Sequence, residues 1–471
     1  MKKSTYTAKL STFNRACYQL AWRWHFYAGL FVIPFLLVLS MSGMVMLYDE
    51  QIQTLRYSSE VLPSTTSTAN ITKAPIAPSI LLTTVQKSYP TAVIKKYIPA
   101  KGQNLASFVV IKQAQETLHI AINPYTGELL AQINRDNSFY AWANDIHGSL
   151  LIGEVGDHLM EIAAGLMVLL LLSGLYMWLP SNNKSQRAVF WPKRHKGKRV
   201  FYRELHSALG FYSSLIMLFF IISGLSWTGV WGSKIVQAWS SFPMLKSASV
   251  PLSTLPHSSL NQGVMEEIPW NLEQTLLPQS TLLSTQVAHK KIGIDQIAAL
   301  ASSLTMQQYQ VRMPLSERAV YTLSASTMGG DITDPRLDRT VHIDQYSGKI
   351  LADIGWDKYS PMAKFMAAGI GLHQGGLGIV NLLVNTLVCL VMLVISVTAI
   401  LMWWARKPEK YLSLNAPVVL NNSPLWKFGL VAVVVIAVLF PLTGVAISLF
   451  VIADLLLKTI KMLRTRRLVS K

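Results

Sequence analysis

The sequence predicts a multi-span α-helical membrane protein, internally duplicated, with about five transmembrane helices and two small exported α+β domains. Composition is the first reason, because 51% of the 471 residues are hydrophobic and only 14% are charged, whereas about a quarter of a soluble domain is charged. The second is that five stretches are long and apolar enough to cross a bilayer, which takes about 20 residues. The third is that basic residues are concentrated in short segments beside those stretches.

The five predicted spans differ in how clearly they cross the membrane. They cover residues 25–48, 158–179, 205–231, 373–405 and 428–457. The first is longer than the apolar core of about 7–15 residues in a signal peptide, so we interpret it as an uncleaved anchor. Pro441 lies in the middle of the fifth, where a proline can break a helix. Two alternatives therefore stay open for this segment: a full crossing of the membrane, or a break at Pro441 that prevents one.

The net charge of +18 gives the orientation. Lys and Arg in short loops mark the cytoplasmic side, which predicts that the N-terminus (1–24) and the loops 180–204 and 406–427 are cytoplasmic. Residues 49–157 and 232–372, both nearly neutral, are then exported. Because the positive charge lies in these short segments, it indicates membrane orientation and not nucleic-acid binding. Five full crossings would leave the basic tail, 458–471, on the exported side, in conflict with the same rule.

Both exported segments carry one short motif ahead of the next span. It reads Asn-Pro-Tyr-Thr-Gly-Glu-Leu-Leu-Ala at 123–131 and Asp-Gln-Tyr-Ser-Gly-Lys-Ile-Leu-Ala at 344–352. The pattern predicts a strand, a tight turn in which Gly127 or Gly348 takes a positive φ, and a second strand. Its repetition indicates that the two exported segments are copies of one module.

The histidines show a second level of duplication, in the spans. His25 opens the first span and His206 opens the third. The same residues recur downstream of both: Gly29 and Gly210, Ser42-Gly43 and Ser223-Gly224. Ahead of the second and fourth spans the matching residues are His147 with His373 and Trp178 with Trp404, each tryptophan 31 positions after its histidine. The chain is therefore predicted to be two copies of a unit made of span, exported domain and span.

This topology predicts one pair of histidines at each membrane face. His25 and His206 begin outward-going helices near the cytoplasmic face, and His147 and His373 precede inward-going helices near the exported face. Ionisable groups at such positions are costly and usually functional, and imidazole is a good iron ligand. Two histidines per face, with few acids, fit bis-histidine haem better than zinc or calcium. Because the sequence has no C-x-x-C-H attachment motif, we predict two non-covalent b-type haems.

His158 is an alternative to His147. It lies eleven residues later, three helical turns on and nearly on the same helix face. Its counterpart in the second copy is Val384. His158 therefore either replaces His147 as a ligand, supports the ligand without contacting the iron, or lies on the side of the substrate.

Taken together, these motifs resemble the PepSY-associated transmembrane family of bacterial inner-membrane proteins. The resemblance covers residues 20–408 and depends on the Tyr-[Thr/Ser]-Gly hairpins, the His-x-x-x-Gly span starts and the Met-Trp span ends. It implies two PepSY-like exported domains and, as in some members, a di-haem reductase that releases iron from ferric siderophores in the periplasm. The haem ligands would be His25, His206, His147 and His373.

The expected protein is thus a multi-pass enzyme of the bacterial inner membrane with a cytoplasmic N-terminus. Its partners would be the lipid bilayer, a ferric siderophore or similar iron chelate, and an electron donor that is either cytoplasmic or a quinol; nucleic acid is not expected. One alternative is a non-catalytic membrane-anchored PepSY sensor or protease-regulating protein with merely interfacial histidines. A transporter is disfavoured, because the repeats run parallel and no span centre carries a charge cluster.

Overall fold

The structure, a computed structural model, describes residues 2–61, 74–103, 105–179, 190–193, 197–232, 250–261, 268–281, 291–406 and 426–469. The chain divides into two compact units. We call residues 1–43, 145–235 and 386–471 the helical unit, and residues 44–144 and 236–385 the sheet unit.

Twelve α-helices and ten strands are found in this part of the chain. The helices are α1 (Lys2–Leu47), α2 (Asp49–Val61), α3 (Pro78–Ser88), α4 (Phe139–Ser149), α5 (Glu154–Trp178), α6 (Lys198–Leu225), α7 (Trp270–Glu273), α8 (Ile294–Ser303), α9 (Pro361–Gln374), α10 (Ile379–Trp404), α11 (Lys427–Leu439) and α12 (Pro441–Val469). The strands are β1 (Val93–Ile98), β2 (Ser107–Gln113), β3 (Glu116–Ile122), β4 (Leu129–Asn134), β5 (Leu252–Pro256), β6 (Leu276–Pro278), β7 (Gln310–Arg312), β8 (Val320–Ala325), β9 (Arg339–Asp344) and β10 (Ile350–Gly355).

Four helices of the described chain are long and apolar enough to cross a membrane: α1, α5, α6 and α10. They coincide with the first four predicted spans, so the protein is a multi-span helical membrane protein. Within the helical unit, side chains from these helices form one apolar core that includes Val32, Met167, Ile221 and Met392.

The fifth predicted span is broken into two shorter helices, α11 and α12, at Pro441. The chain reverses there. This reversal is shown by the close approach of Gly444 to Ala437, seven residues earlier: a Cβ atom on Gly444 would lie only 3.1 Å from the Cβ of Ala437. Proline supplies no N–H to continue the helix, and its ring excludes a straight continuation. About 13 residues of α11 rise roughly 20 Å, which is too short for a full crossing.

Both arms of this helical hairpin return to the same end of α1. Trp426, just before α11, stacks on Trp24 with ring centroids 5.4 Å apart. Phe450, on α12, contacts Tyr27 at 6.2 Å. A single crossing would place residues 426 and 450 at opposite ends of the bundle. The segment is therefore re-entrant: it enters and leaves at the end of the bundle where His25 lies.

The sheet unit contains an eight-stranded antiparallel sheet in the order β10-β9-β8-β7-β1-β2-β3-β4. Each of the two predicted exported segments supplies a four-stranded meander. The meanders join where β1 pairs with β7, with Lys96 opposite Arg312 and Tyr97 opposite Val311. This pairing joins two strand edges that would otherwise be open. The two segments therefore share one sheet and one core, which α3 and α8 cover on the apolar face.

The duplicated turn motif is confirmed in detail. Gly127 and Gly348 take φ of 74° and 71°, a region that side chains with a Cβ disfavour. In the first copy Asn123 Oδ1 accepts from the N–H groups of Tyr125 and Thr126. In the second, Asp344 Oδ1 accepts in the same way from the next two amides in the turn. Each turn connects two paired strands, as the sequence predicts.

The opposite face of β7–β10 is polar and buried. It carries Arg312, Thr322 and His342, which are opposite one another on adjacent strands. Residues 250–261 and 268–281, which we call the cover, pack on this face. Ile268 and Leu272 of the cover form a small apolar cluster with Ile354 of the sheet.

Candidate functional site

The structure brings together the first predicted pair of histidines. His25 on α1 and His206 on α6 have ring centroids 6.2 Å apart and ring planes at 86°. Two imidazoles that share one metal ion, each at about 2 Å, place their ring centres roughly 6 Å apart. The separation therefore fits a metal ion held between the two rings.

The orientation of the His25 ring is fixed by α5. Its Nδ1 lies 3.1 Å from the carbonyl oxygen of Leu170 and 3.1 Å from Oγ of Ser173. The Ser173 hydroxyl itself donates to the carbonyl of Leu169 at 2.6 Å. Both contacts of His25 are with acceptors, so Nδ1 carries the ring proton and donates it.

The His206 ring is fixed in the same way by α10. Its Nδ1 lies 3.0 Å from the carbonyl oxygen of Ile395 and 3.3 Å from Oγ1 of Thr398. The Thr398 hydroxyl donates to the carbonyl of Val394 at 2.8 Å. The duplication therefore extends to the residues that position each imidazole.

These contacts set the register of the repeat in the second and fourth spans. Leu170 corresponds to Ile395 and Ser173 to Thr398, an offset of 225 positions. The same offset matches Trp178 with Trp403. The sequence pairing of Trp178 with Trp404, counted from His147 and His373, is thus one position out of register with the helices.

Since Nδ1 is the protonated nitrogen in both rings, Nε2 holds the lone pair. In the described part of the chain, Nε2 of His25 and Nε2 of His206 make no hydrogen bond. A histidine ligand characteristically donates its other N–H to a carbonyl or a similar acceptor, which fixes its tautomer. Gly174 gives the His25 ring room, because a Cβ there would lie 3.2 Å from its Cε1.

His147, near the end of α4, is held by the Ser42-Gly43 pair that recurs in the sequence. Its Nδ1 lies 2.9 Å from Oγ of Ser42, whose hydroxyl donates to the carbonyl of Val38 at 2.7 Å. A Cβ on Gly43 would lie 3.4 Å from Cε1 of His147, so glycine allows this close approach. Burial lowers the pKa of His147 to about 4.

His158 has a different environment near the start of α5. Its side chain is 37% exposed, and Nε2 lies 3.9 Å from Oε1 of Glu154, one turn earlier. His147, in contrast, has a ring whose Nδ1 contacts a hydroxyl, as in His25 and His206. The geometry of the ring thus favours His147 over His158 as a ligand.

His373 lies in the sheet unit, on the last turn of α9, whereas His147 lies in the helical unit. The end of α9 is tied down by Asn385, whose Nδ2 donates to the carbonyls of Leu372 at 2.8 Å and His373 at 3.0 Å. Gly375 follows in the left-handed conformation, with φ of 76°, and ends the helix.

Sequence reasoning missed Ser173 and Thr398. The signal was present, since each lies five residues before a Met-Trp span end, at Trp178 and Trp403. Alignment of the two span ends on their Met-Trp pairs would have exposed a hydroxyl at the same position in both copies.

The donor set fits haem better than other metal groups. Among the described residues no cluster of three or more His, Cys, Asp or Glu side chains is placed to hold a metal ion. Structural zinc needs four protein ligands, whereas haem iron takes only its axial ligands from the protein. Two neighbouring imidazoles with anchored Nδ1 atoms are sufficient in number for that role.

Comparison with protein families agrees with the resemblance. Residues 22–406, more than half of the chain, match the model of the PepSY-associated TM region. The protein belongs to this family. The PepSY-associated match includes all five candidate histidines and ends before the α11–α12 hairpin. No curated protein matches the chain.

Proposed function

We propose that this PepSY-associated protein is a haem-containing metalloreductase of the bacterial inner membrane. His25 and His206 ligate one b-type haem, and His147 and His373 ligate a second. Electrons from a cytoplasmic reductant or a quinol pass across the membrane and reduce the Fe(III) of a ferric siderophore or similar chelate to Fe(II). The observation that carries this proposal is the neighbouring pair of imidazoles, with ring centroids 6.2 Å apart, each held through Nδ1 by a matching carbonyl and hydroxyl.

The residues around the first pair would hold the haem and set its properties. A bound haem supplies reversible one-electron chemistry at iron. Leu170 and Ser173 keep the proton of His25 on Nδ1, so that Nε2 is available as the ligand. Ile395 and Thr398 do the same for His206. The hydrogen bonds from Nδ1 to these acceptors would make each Nε2 more basic, which would favour Fe(III) over Fe(II) in a bound haem.

The re-entrant hairpin supports a consistent orientation. With four crossings, the segment 1–24, both basic loops and the tail 458–471 all lie on one side, which the distribution of Lys and Arg identifies as the cytoplasm. His25 and His206 then lie toward the cytoplasm. The sheet unit, which carries the PepSY-like segments, is exported and faces the chelate.

An absorption spectrum of the purified protein from haem-replete cells tests the proposal. We expect a Soret band, low-spin features on reduction, and about two haems per chain. His206→Ala and His373→Ala should each remove one haem, while the control His119→Ala, on β3, should retain both. A colourless wild-type protein would overturn the reductase and leave the non-catalytic sensor, and retention of both haems in His206→Ala would refute the ligand pairing.

A further inference from the structure

Two imidazoles are in direct contact inside the sheet unit. His257, in the short 3-10 turn His257–Leu260, and His342, on β9, are both 0% exposed. Their Nε2 atoms lie 2.8 Å apart. Such a contact is a hydrogen bond only when one of the two nitrogens carries a proton and the other does not.

The other ring nitrogens determine where each proton lies. His257 Nδ1 is 2.7 Å from the carbonyl oxygen of Thr275, which can only accept, so this Nδ1 is protonated. In a neutral ring Nε2 of His257 then accepts, and the shared proton belongs to Nε2 of His342. His342 Nδ1 in turn accepts from the hydroxyl of Thr322 at 3.0 Å. All four nitrogens are thus satisfied when both rings are neutral, and any further proton removes an acceptor.

The surrounding charges also oppose protonation. Arg312, on β7 and 4% exposed, lies two strands from His342 on the same sheet face. Lys96, on β1, is the cross-strand neighbour of Arg312. Asp344, two residues further along β9, accepts from backbone amides that include Thr281. On the cover, Glu273 accepts from the amide of Asn261 at 3.0 Å. Apart from His257 itself, the charge that acts on His342 is the cation of Arg312, which lowers the pKa of this imidazole.

The imidazole pair also joins two parts of the chain. His257 belongs to the cover and His342 to the sheet. Besides this bond, the cover is held by the guanidinium of Arg312, which donates to the carbonyl of Leu260 at 3.3 Å, and by the small apolar cluster around Leu272. At the end of the cover, Ser280 donates to the carbonyl of Ala319 at 2.8 Å and Thr281 donates to Asp344 at 2.9 Å. The His257–His342 contact is thus one of several contacts that hold the cover on the sheet, and it is the one made by two buried titratable side chains.

We propose that His257 and His342 form a pH-sensitive latch, which holds the cover on the polar face of the sheet while both rings are neutral and releases it when they become protonated. The latch belongs to the sheet unit and is independent of the haem proposal. It makes exposure of the polar sheet face depend on the acidity of the compartment in which the unit lies.

The sign of the effect follows from burial. Burial lowers the pKa of His257, and burial together with the charges of His257 and Arg312 lowers the pKa of His342 well below its ordinary value. Histidines in the opened state titrate near 6.5. The closed state therefore binds fewer protons than the open one. The equilibrium constant that favours the closed state has its full value above about pH 6.5. Below that pH this constant falls by about tenfold per pH unit for each proton taken up on opening.

Hydrogen exchange of the full chain in detergent, followed by mass spectrometry, tests the latch. After correction for the intrinsic pH dependence of exchange, protection of residues 250–261 and 268–281 should fall at least tenfold between pH 7.5 and pH 5. Protection of β2 and β3, in the other half of the sheet, should change little. Protection of the cover that does not change across this range would overturn the proposal.

The double variant His257→Gln/His342→Gln identifies the groups responsible. Glutamine keeps a donor and an acceptor at each position but cannot be charged, so the cover should lose its pH dependence. The matched control His119→Gln, in the same sheet, should keep it. If the double variant does not fold, exchange of the histidine C2 protons in the wild-type protein decides. Titration of His257 and His342 with a midpoint below 6, alongside release of the cover, supports the latch, and titration near 6.5 with no link to release refutes it.

Discussion

Hydroxyl groups beside the first histidine pair are the residue-scale feature with the most direct consequence. Ser173→Ala or Thr398→Ala leaves the carbonyl acceptor in place and removes one of two contacts to Nδ1. Changes of this kind around a metal ligand typically weaken binding about 10- to 100-fold. We expect each variant to bind haem about tenfold more weakly, measured by competition with a haem-binding protein. Ser214→Ala is the matched control, because among the residues that the structure describes the hydroxyl of Ser214 bonds only to the carbonyl of Phe211 on its own helix.

Equal haem affinity in Ser173→Ala and in the control would contradict this role. The two variants also separate the copies, since Ser173 contacts His25 and Thr398 contacts His206. The double variant should then lose more affinity than either single variant, because both ligands of one haem become less well oriented.

Asp338 gives a second prediction at this scale, in the sheet unit. It is 3% exposed, and burial, reinforced by the charges of Asp331 and Asp334, raises its pKa to about 7. The folded state therefore holds a proton that the unfolded state releases near pH 4. The stability that this provides is complete below that pH and is lost as the pH rises through about 7.

Asp338→Asn should therefore stabilise β8 and β9 at pH 8 and have little effect at pH 5. The amide keeps an oxygen to accept from the N–H of Thr327, the 2.9 Å contact of the native carboxyl. We expect a gain of about 1–3 kcal/mol at pH 8, measured by hydrogen exchange of these strands in the full chain. Asp334→Asn, in contrast, should be destabilising or neutral at both pH values, because Asp334 pairs with Arg336. A gain from Asp338→Asn that is equal at both pH values would contradict the titration.

At the scale of elements, the re-entrant hairpin explains a charge pattern that hydropathy alone left in conflict. The run 428–457 is long enough for a span, and its length suggested a crossing. The break at Pro441 and the contact of Gly444 with Ala437 instead turn it back. A span needs sufficient apolar length, but that length does not determine the direction of the chain after a break. The direction depends on how α11 and α12 pack against the bundle.

The hairpin makes the location of the tail testable. Both ends of the hairpin lie on the side of the N-terminus, which we propose to be the cytoplasmic side. A green fluorescent protein fused after Lys471 should therefore fluoresce, and alkaline phosphatase fused there should be inactive. The matched control is the same pair of reporters fused after residue 260, where we expect the opposite result. An active phosphatase at the C-terminus would show a fifth full crossing.

Elements of the sheet show how far sequence reasoning reaches. The turns at Gly127 and Gly348 were predictable, since local residues determine them. The pairing of β1 with β7 was not predictable. Lys96 lies opposite Arg312, so the two strands carry like charges at this position and no complementary charges that would mark them as partners. Cross-strand partners of different repeats depend on burial and edge pairing in the folded unit. The same limit applies to His257 and His342, which are 85 positions apart and lie outside the duplicated histidine pattern.

For the molecule as a whole, duplication explains why the candidate site was largely visible in the sequence. His25 and His206 could be predicted as partners because equivalent residues of a parallel repeat lie at the same depth. Ser173 and Thr398 required the true register of the span ends, which was one residue from the count that the histidines gave. Repetition therefore predicts which two histidines are partners. It does not predict which neighbouring atoms orient their rings, because that depends on how each helix is rotated about its own axis.

The proposed function also makes a prediction that concerns the whole molecule, because two haems at opposite faces would act in series. In sealed vesicles with reductant on one side and a ferric chelate on the other, His206→Ala and His373→Ala should each reduce the rate of Fe(II) formation to background, although each retains one haem. Two independent sites would instead leave about half the rate. His119→Ala should retain the full rate. The measurement is the absorbance of a ferrous chelator enclosed with the iron, and half-maximal rates in both single variants would rule out transfer in series.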